Sequence, residues 1–213
     1  MSFVVVYDAC VLYPAPLRDH LIRVGLSGLV MARWSETILE ECFRSIISQR
    51  PDLQAQALAR TRDLMRVAVA DCMVTGHEQL VCGLDLPDPN DRHVLAAAIR
   101  AGAQVIVTAN VKDFPPVALA RYGVQAVHPD DFILDLIDLA PVTIADVVRA
   151  QARSLKSPPR SLSELLDTLN NNGLVQSVAK LRDLFRTPID GSCPSERSNI
   201  IAPELTPKAT LGF

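Results

Sequence analysis

The chain has 213 residues, 49% of them hydrophobic and 21% charged, with 21 Lys+Arg against 24 Asp+Glu and a formal net charge of −3. That balance excludes wholesale disorder, a fibrous chain, and a protein that holds nucleic acid simply by being basic. The length fits one domain with an appendage, and no apolar run reaches the roughly 18 residues of a membrane helix or the pattern of a secretory signal. Five widely spaced cysteines (Cys10, Cys42, Cys72, Cys82 and Cys193) form no Cys-x-x-Cys pair. Each reads as a buried apolar residue in a reducing cytoplasm rather than as part of a zinc site.

Phe3–Tyr7 is short, apolar and β-branched, the pattern of a buried parallel strand. Leu17, Leu21, Ile22 and Leu26 follow at helical spacing over Pro14–Leu26. Leu29–Ala32 is a second strand candidate, Ser35 can cap a helix reaching about Ser48, and Pro51–Val69 reads as another helix. Asp88-Pro89-Asn90-Asp91 is a helix start: Asp88 at the cap, Pro89 in the first helical position, Asp91 at the third, with Gly102 as the stop signal. Val105–Thr108 and Val124–Val127 read as strands on either side of a short helix over Val117–Tyr122, and Asp130 or Asp131 opens a helix to Leu139. This alternation predicts an α/β fold, a parallel sheet with helices on both faces.

The composition changes near Pro141. Residues 1–140 carry 12 basic and 17 acidic side chains, whereas residues 141–213 carry 9 and 7. Beyond Pro141 the periodicity is helical over Ile144–Leu155, Ser161–Leu169 and Val175–Phe185. The expected organisation is therefore a domain over 1–140, a helical extension over 141–187 and a loose tail over 188–213.

Open parallel sheets place their sites at the carboxyl ends of the strands. Asp8 ends the first strand; Thr108 and Asn110 end the strand after the Asp88 helix, and Asp113 follows. Asp91 opens that helix, and Glu40 and Glu41 lie on the Ser35 helix, where only one of two neighbours can face a given direction. Each has a bland alternative: Asp8, Asp88, Asp91 and Asp113 as turn or helix caps, Glu40 and Glu41 as solvated surface groups. Converging carboxylates stay ionised only if a cation shares their site, and an all-oxygen donor set favours a hard one, Mg²⁺ or Mn²⁺. Such an ion suits phosphodiester hydrolysis.

Four pieces occur together: Val-Val-Val-Tyr-Asp8-Ala-Cys, Ser35-Glu-Thr-Ile-Leu-Glu-Glu41, Asp88-Pro-Asn-Asp91-Arg-His-Val-Leu-Ala-Ala-Ala98 and Val107-Thr-Ala-Asn110-Val-Lys-Asp113-Phe. In this order they resemble a PIN-domain nuclease over roughly residues 3–140, and the bacterial branch resembled is that of the VapC toxins of toxin–antitoxin pairs. The extension, with Ala152-Arg-Ser-Leu-Lys-Ser-Pro-Pro-Arg160, resembles the C-terminal domain of a longer VapC-like subgroup. The resemblance implies a PIN-like (Rossmann-like) fold and a metal-dependent endoribonuclease with Asp8, Glu41, Asp91 and Asp113 as its acidic quartet. Asp8, Asp91 and Asp113 would ligate Mg²⁺ or Mn²⁺, with Thr108, Asn110 and Asp88 in support. It further implies an RNA substrate leaving 5′-phosphate and 3′-hydroxyl ends, a small antitoxin as partner, a homodimer and a cytoplasmic location.

Two positions depart from the family pattern. Ala9 lacks the hydroxyl common after the first Asp, and Asn110 is an amide where some members have Asp, so one tight metal site is expected. Arg18, Arg92 and Lys112 flank the motif loops as candidate RNA contacts. Arg149, Arg153, Lys156 and Arg160 are a second basic group, for RNA, for an acidic antitoxin segment or for surface pairing. A haloacid-dehalogenase-like phosphatase would need an Asp where Cys10 stands, and a Cys-x₅-Arg phosphatase is ruled out by the longer gap from Cys10 to Arg18. The remaining alternative is a catalytically degenerate PIN fold that only binds RNA or a partner.

Overall fold

A computed structural model describes residues 3–156 and 158–186. Residues 188–213, expected as a loose tail, and Cys193 within them lie outside the described residues. The elements in chain order are β1 (Phe3–Tyr7), α1 (Ala9–Leu12), α2 (Ala15–Leu26), β2 (Val30–Ser35), α3 (Glu36–Gln49), α4 (Ala55–Val67), β3 (Met73–Val74), α5 (Glu78–Val81) and α6 (Arg92–Ala101). They continue with β4 (Val105–Val107), α7 (Pro116–Leu119), β5 (Gln125–Val127), α8 (Pro129–Leu139), α9 (Pro141–Ser154), α10 (Leu162–Asn171) and α11 (Val175–Arg186).

The five strands are parallel in the order β3-β2-β1-β4-β5. In β1, the successive residues Val5, Val6 and Tyr7 are all fully buried. Since alternate strand residues point to opposite faces, helices must cover both sides of the sheet. Burying each such side chain contributes roughly 1.5–3 kcal/mol. Tyr7 stacks on Trp34 of β2 at 6.2 Å and meets Phe132 of α8 edge-on at 6.3 Å. Its hydroxyl donates to the Leu21 carbonyl at 3.1 Å, so the ring spans from sheet to α2 without a stranded polar atom.

The sequence signals act where expected at several element ends. Ser35 accepts from the Ile38 amide at the start of α3. At α10, Ser161 and Glu164 form a reciprocal capping box not foreseen from the sequence. Gly102 ends α6 at φ +63°, a conformation that costs a residue with a Cβ. Other elements differ. Helix α4 begins at Ala55 rather than Pro51, α8 is capped by the His128 imidazole rather than by an aspartate, and α1, β3 and α5 were not foreseen. All three are four residues or shorter, too brief to show a period.

Ala140 closes α8 and opens α9 at once, so the extension follows with no linker. Helix α9 lies along α2: Gln151 Oε1 accepts from His20 Nδ1 at 3.0 Å while its Nε2 donates to the Pro16 carbonyl, and Arg23 donates to Ser154. Asp130 on α8 receives the Gln176 and Ser177 amides at 2.8 and 2.9 Å, so a buried side chain from one helix caps the start of another, α11. Burial alone would raise that carboxyl; the hydrogen bonds from Ser177 and Gln176 outweigh it and hold it below the ordinary aspartate value. Ile144, Val148, Leu165, Leu169, Val178 and Leu181 join the same hydrophobic cluster as the sheet.

Candidate active site

The site is built on the carboxyl end of β1. The Asp8 amide donates to the Val107 carbonyl at 3.1 Å, which extends the β1–β4 ladder one residue and fixes where the carboxyl begins. Asp8 is buried at 4% exposure. Its Oδ1 accepts from the Ala9 amide at 2.6 Å, so the cap reading is realised too. Its Oδ2 accepts from Thr108 Oγ1 at 2.7 Å and from the Cys10 thiol at 3.0 Å. Cys10 lies 3.3 Å from Thr108 Oγ1 and accepts from the Ala109 amide, while the Asn110 amide donates to Thr108 Oγ1. Thr108 thus donates to Asp8 through its side chain, whereas Asn110 enters this network through its backbone. Cys10 supplies a side-chain donor that Ala9 lacks.

Asp88 and Asp91 divide the two roles that the sequence left open between them. Asp88 Oδ1 accepts from the Asn90 amide at 2.8 Å and caps the 3-10 turn Pro89–Asp91. The Asp91 side chain makes no capping bond, which leaves it free for the site. Asp113 ends the 3-10 turn Val111–Asp113, and Pro115 stands at the N-cap of α7 with no side-chain capping bond, so the capping alternative for Asp113 is not realised. Glu40 is exposed and pairs with Arg62. Glu41 is half-buried, accepts from His93 Nε2 at 3.1 Å, and acts electrostatically on Asp8 and Asp91. Of the two glutamates, Glu41 therefore faces the carboxylates.

The electrostatics of this cluster are one-sided. Burial pushes the Asp8 carboxyl up, the Cys10 and Thr108 donors oppose this, and Glu41 raises it further. Asp91 is pushed from 3.8 to about 6, by burial first and then by Asp8, Asp88, Asp113 and Glu41. The four charged neighbours that act most strongly on it are thus all carboxylates. Burial, with Asp8 beside it, pushes the Cys10 thiol to about 12, so it stays protonated and can donate. Among the described residues, no three His, Cys, Asp or Glu side chains already stand as a ready cation shell. The carboxyls are near enough to repel one another yet are not drawn together. In chemistry, though not yet in spacing, an all-oxygen donor set of this kind suits a hard divalent cation.

The expected cations are placed differently from one another. Arg18 is a correction: it is buried at 2% exposure, and its guanidinium donates to the Leu12 and Tyr13 carbonyls at 2.7 and 3.1 Å. It ties the end of α1 to α2 and presents no surface charge to a substrate. Arg92 reaches Asp85 at 3.4 Å, and its Nε is buried without a hydrogen-bond partner; Lys112 is exposed. In the extension, Arg149 pairs with Asp146 and lies over the Phe185 ring, and Arg160 donates to Thr168. Arg153 is in the last turn of α9, next to Ser154, which accepts from Arg23 of α2, and Lys156 follows the helix end.

Two residues of the site escaped sequence reasoning. Cys10 is two positions beyond Asp8, and His93 is two beyond Asp91. Position within the motif was the available signal; Cys10 reaches Asp8 locally, whereas the contact of His93 with Glu41 required the packing of α3 against α6.

Fold and site together define an α/β protein with a carboxylate cluster at the carboxyl rim of a parallel sheet. Residues 4–112 match the PIN domain, so the chain belongs to the PIN-domain family. Residues 129–183 match the VapC50 C-terminal domain, a match that begins at α8. The chain is also similar to a Mycobacterium tuberculosis protein named "Putative ribonuclease VapC50", with 46% identity over 95 residues, 45% of this chain and 56% of that protein. The aligned stretch thus spans little more than half the length of that relative. No solved structure matches the chain.

Proposed function

We propose that this protein is a metal-dependent endoribonuclease of the VapC type, the toxin of a toxin–antitoxin pair. The observation that carries the reading is the concentration of carboxylate on Asp91, raised to about 6 by burial and by Asp8, Asp88, Asp113 and Glu41. A structural cap or a solvated surface acid has no use for four like charges around it. The match of residues 4–112 to the PIN domain and of residues 129–183 to the VapC50 C-terminal domain, together with the similarity over 95 residues to the protein named "Putative ribonuclease VapC50", supports the same reading.

Asp8, Asp91 and Asp113 would hold Mg²⁺ or Mn²⁺, which supplies a Lewis acid for the phosphate oxygens and lowers the pKa of bound water. The chain's own residues do the rest. Thr108 and Cys10 fix one oxygen of Asp8 and so set its direction. Glu41 orients the attacking water and takes its proton. Arg92 and Lys112, next to Asp91 and Asp113 in sequence, meet the RNA backbone. An antitoxin peptide as partner, a homodimer and a cytoplasmic setting, which suits the free thiols of Cys10, Cys42, Cys72 and Cys82, complete the proposal. No described helix is long and apolar enough to cross a membrane.

The dispersed carboxylates favour one rival, a PIN fold that binds without cleaving. The test is cleavage of single-stranded RNA with and without Mn²⁺, with end analysis of the products. The proposal requires metal-dependent 5′-phosphate and 3′-hydroxyl ends, lost in Asp8→Asn. Cleavage by Asp8→Asn at the parent rate refutes the site, and absence of cleavage in the parent supports the binding module.

A further inference from the structure

We infer that His93 is a positioning residue for Glu41, holding the water-directing carboxylate in the site against the repulsion of its neighbours; this rests on the nuclease reading above. A glutamate side chain loses rotamer freedom on being fixed. Glu41 is, in addition, pushed away by Asp8 and Asp91, since it raises both of their carboxyls. Left to these forces alone, it would turn to solvent as Glu40 does. Glu40, one residue earlier on α3, is exposed and bound to Arg62.

What restrains Glu41 is one hydrogen bond from across the helix interface. His93 Nε2 lies 3.1 Å from Glu41 Oε2. The imidazole is only 14% exposed and sits in the first turn of α6, two residues after Asp91. It therefore links the helix that carries Glu41 to the helix opened by Asp91, and fixes the spacing between those two carboxyls. A carboxylate can only accept, so Nε2 must carry the proton. The other ring nitrogen, Nδ1, is buried with no partner, so no competing bond turns the ring away. Both features fit a ring whose orientation is set by Glu41, and the reverse holds for the glutamate.

The test has a kinetic and a spectroscopic arm. In RNA cleavage with Mn²⁺, His93→Ala is expected to lower kcat about 10–100-fold with KM within about threefold, the usual scale for a residue that orients a working group. His93→Gln keeps an N–H near the place of Nε2 and is expected to recover most of the loss. His93→Asn places its donor nearer Nδ1 and is expected not to. In a Glu41→Gln background, His93→Ala should cost little more, because the two act as one unit. Parent-level kcat in His93→Ala, or full additivity with Glu41→Gln, overturns the inference while leaving the nuclease reading intact; a parent that does not cleave removes that reading instead. Independently of activity, long-range ¹H–¹⁵N spectra report which ring nitrogen is protonated. The inference predicts Nε2–H on His93, shifted by Glu41→Gln; an Nδ1–H tautomer, or no response to Glu41→Gln, overturns it.

Discussion

A site that concentrates negative charge should cost the protein stability when no cation is present, and Asp91 gives that cost a size. Its carboxyl rises from 3.8 to about 6 in the folded chain. At about 1.4 kcal/mol per pH unit this sets a ceiling of about 3 kcal/mol. Asp91 is only half-buried, so water screens part of the field, and about 1–2 kcal/mol is expected. The sign follows from proton counting. Between pH 3.8 and 6 the folded state holds the proton that the unfolded chain has released, so this group makes stability fall as pH rises through that window. Above it the penalty is complete; below it the penalty is gone. Asp91→Asn removes the charge, keeps the size, and sacrifices no capping bond. In EDTA at pH 8 the variant should melt about 2–8 °C above the parent, on the scale of about 2–4 °C per kcal/mol for a chain of this size. Near pH 4 the two should melt together. Differential scanning calorimetry of both proteins across pH 4–8 provides the measurement. A variant no more stable than the parent at pH 8, or a gain that does not change with pH, refutes the reasoning.

Other consequences are as direct. Glu41→Ala should lower RNA cleavage at least 100-fold, whereas Glu40→Ala, which loses only an exposed pair with Arg62, should stay within about threefold in the same assay. Asp130→Ala strips two amides at the start of α11 of their acceptor and should destabilise the chain by about 2–3 kcal/mol, read as a lower midpoint in urea, with Asn recovering part of it. Arg18→Met should destabilise by about 2–4 kcal/mol, because the Leu12 and Tyr13 carbonyls lose their donor, and leave KM for RNA unchanged. Lys112→Ala should instead leave stability unchanged, raise KM, and reduce the slope of log affinity against log salt by about one.

Much of the fold was legible because it rests on local signals. The run Phe3–Tyr7 is apolar at every position, which only a strand buried on both faces requires. Ser35 and Gly102 mark their helix ends by chemistry that acts within four residues. Strand β3 escaped because two residues, Met73 and Val74, carry no period; it exists through pairing with Trp34 and Ser35 of β2. The site divides in the same way. Asp8, Asp91 and Asp113 were legible from their places at strand and helix ends. Which of Glu40 and Glu41 turns inward depends on how α3 meets α6, and His93 depends on that interface too. Arg18 misled because a cation near a motif loop looks like a substrate contact; the tight turn from α1 into α2 instead draws it inward to unpaired carbonyls.

The central claim is that Asp8, Asp91 and Asp113 share a divalent cation. Anomalous diffraction from crystals soaked in Mn²⁺ near pH 8, where Asp91 is ionised, addresses it most directly. The account predicts a manganese peak at the carboxyl end of β1, coordinated by oxygens of these three residues and absent from Asp8→Asn crystals. A saturating soak that leaves this rim without a peak, or places the ion elsewhere on the chain, contradicts it.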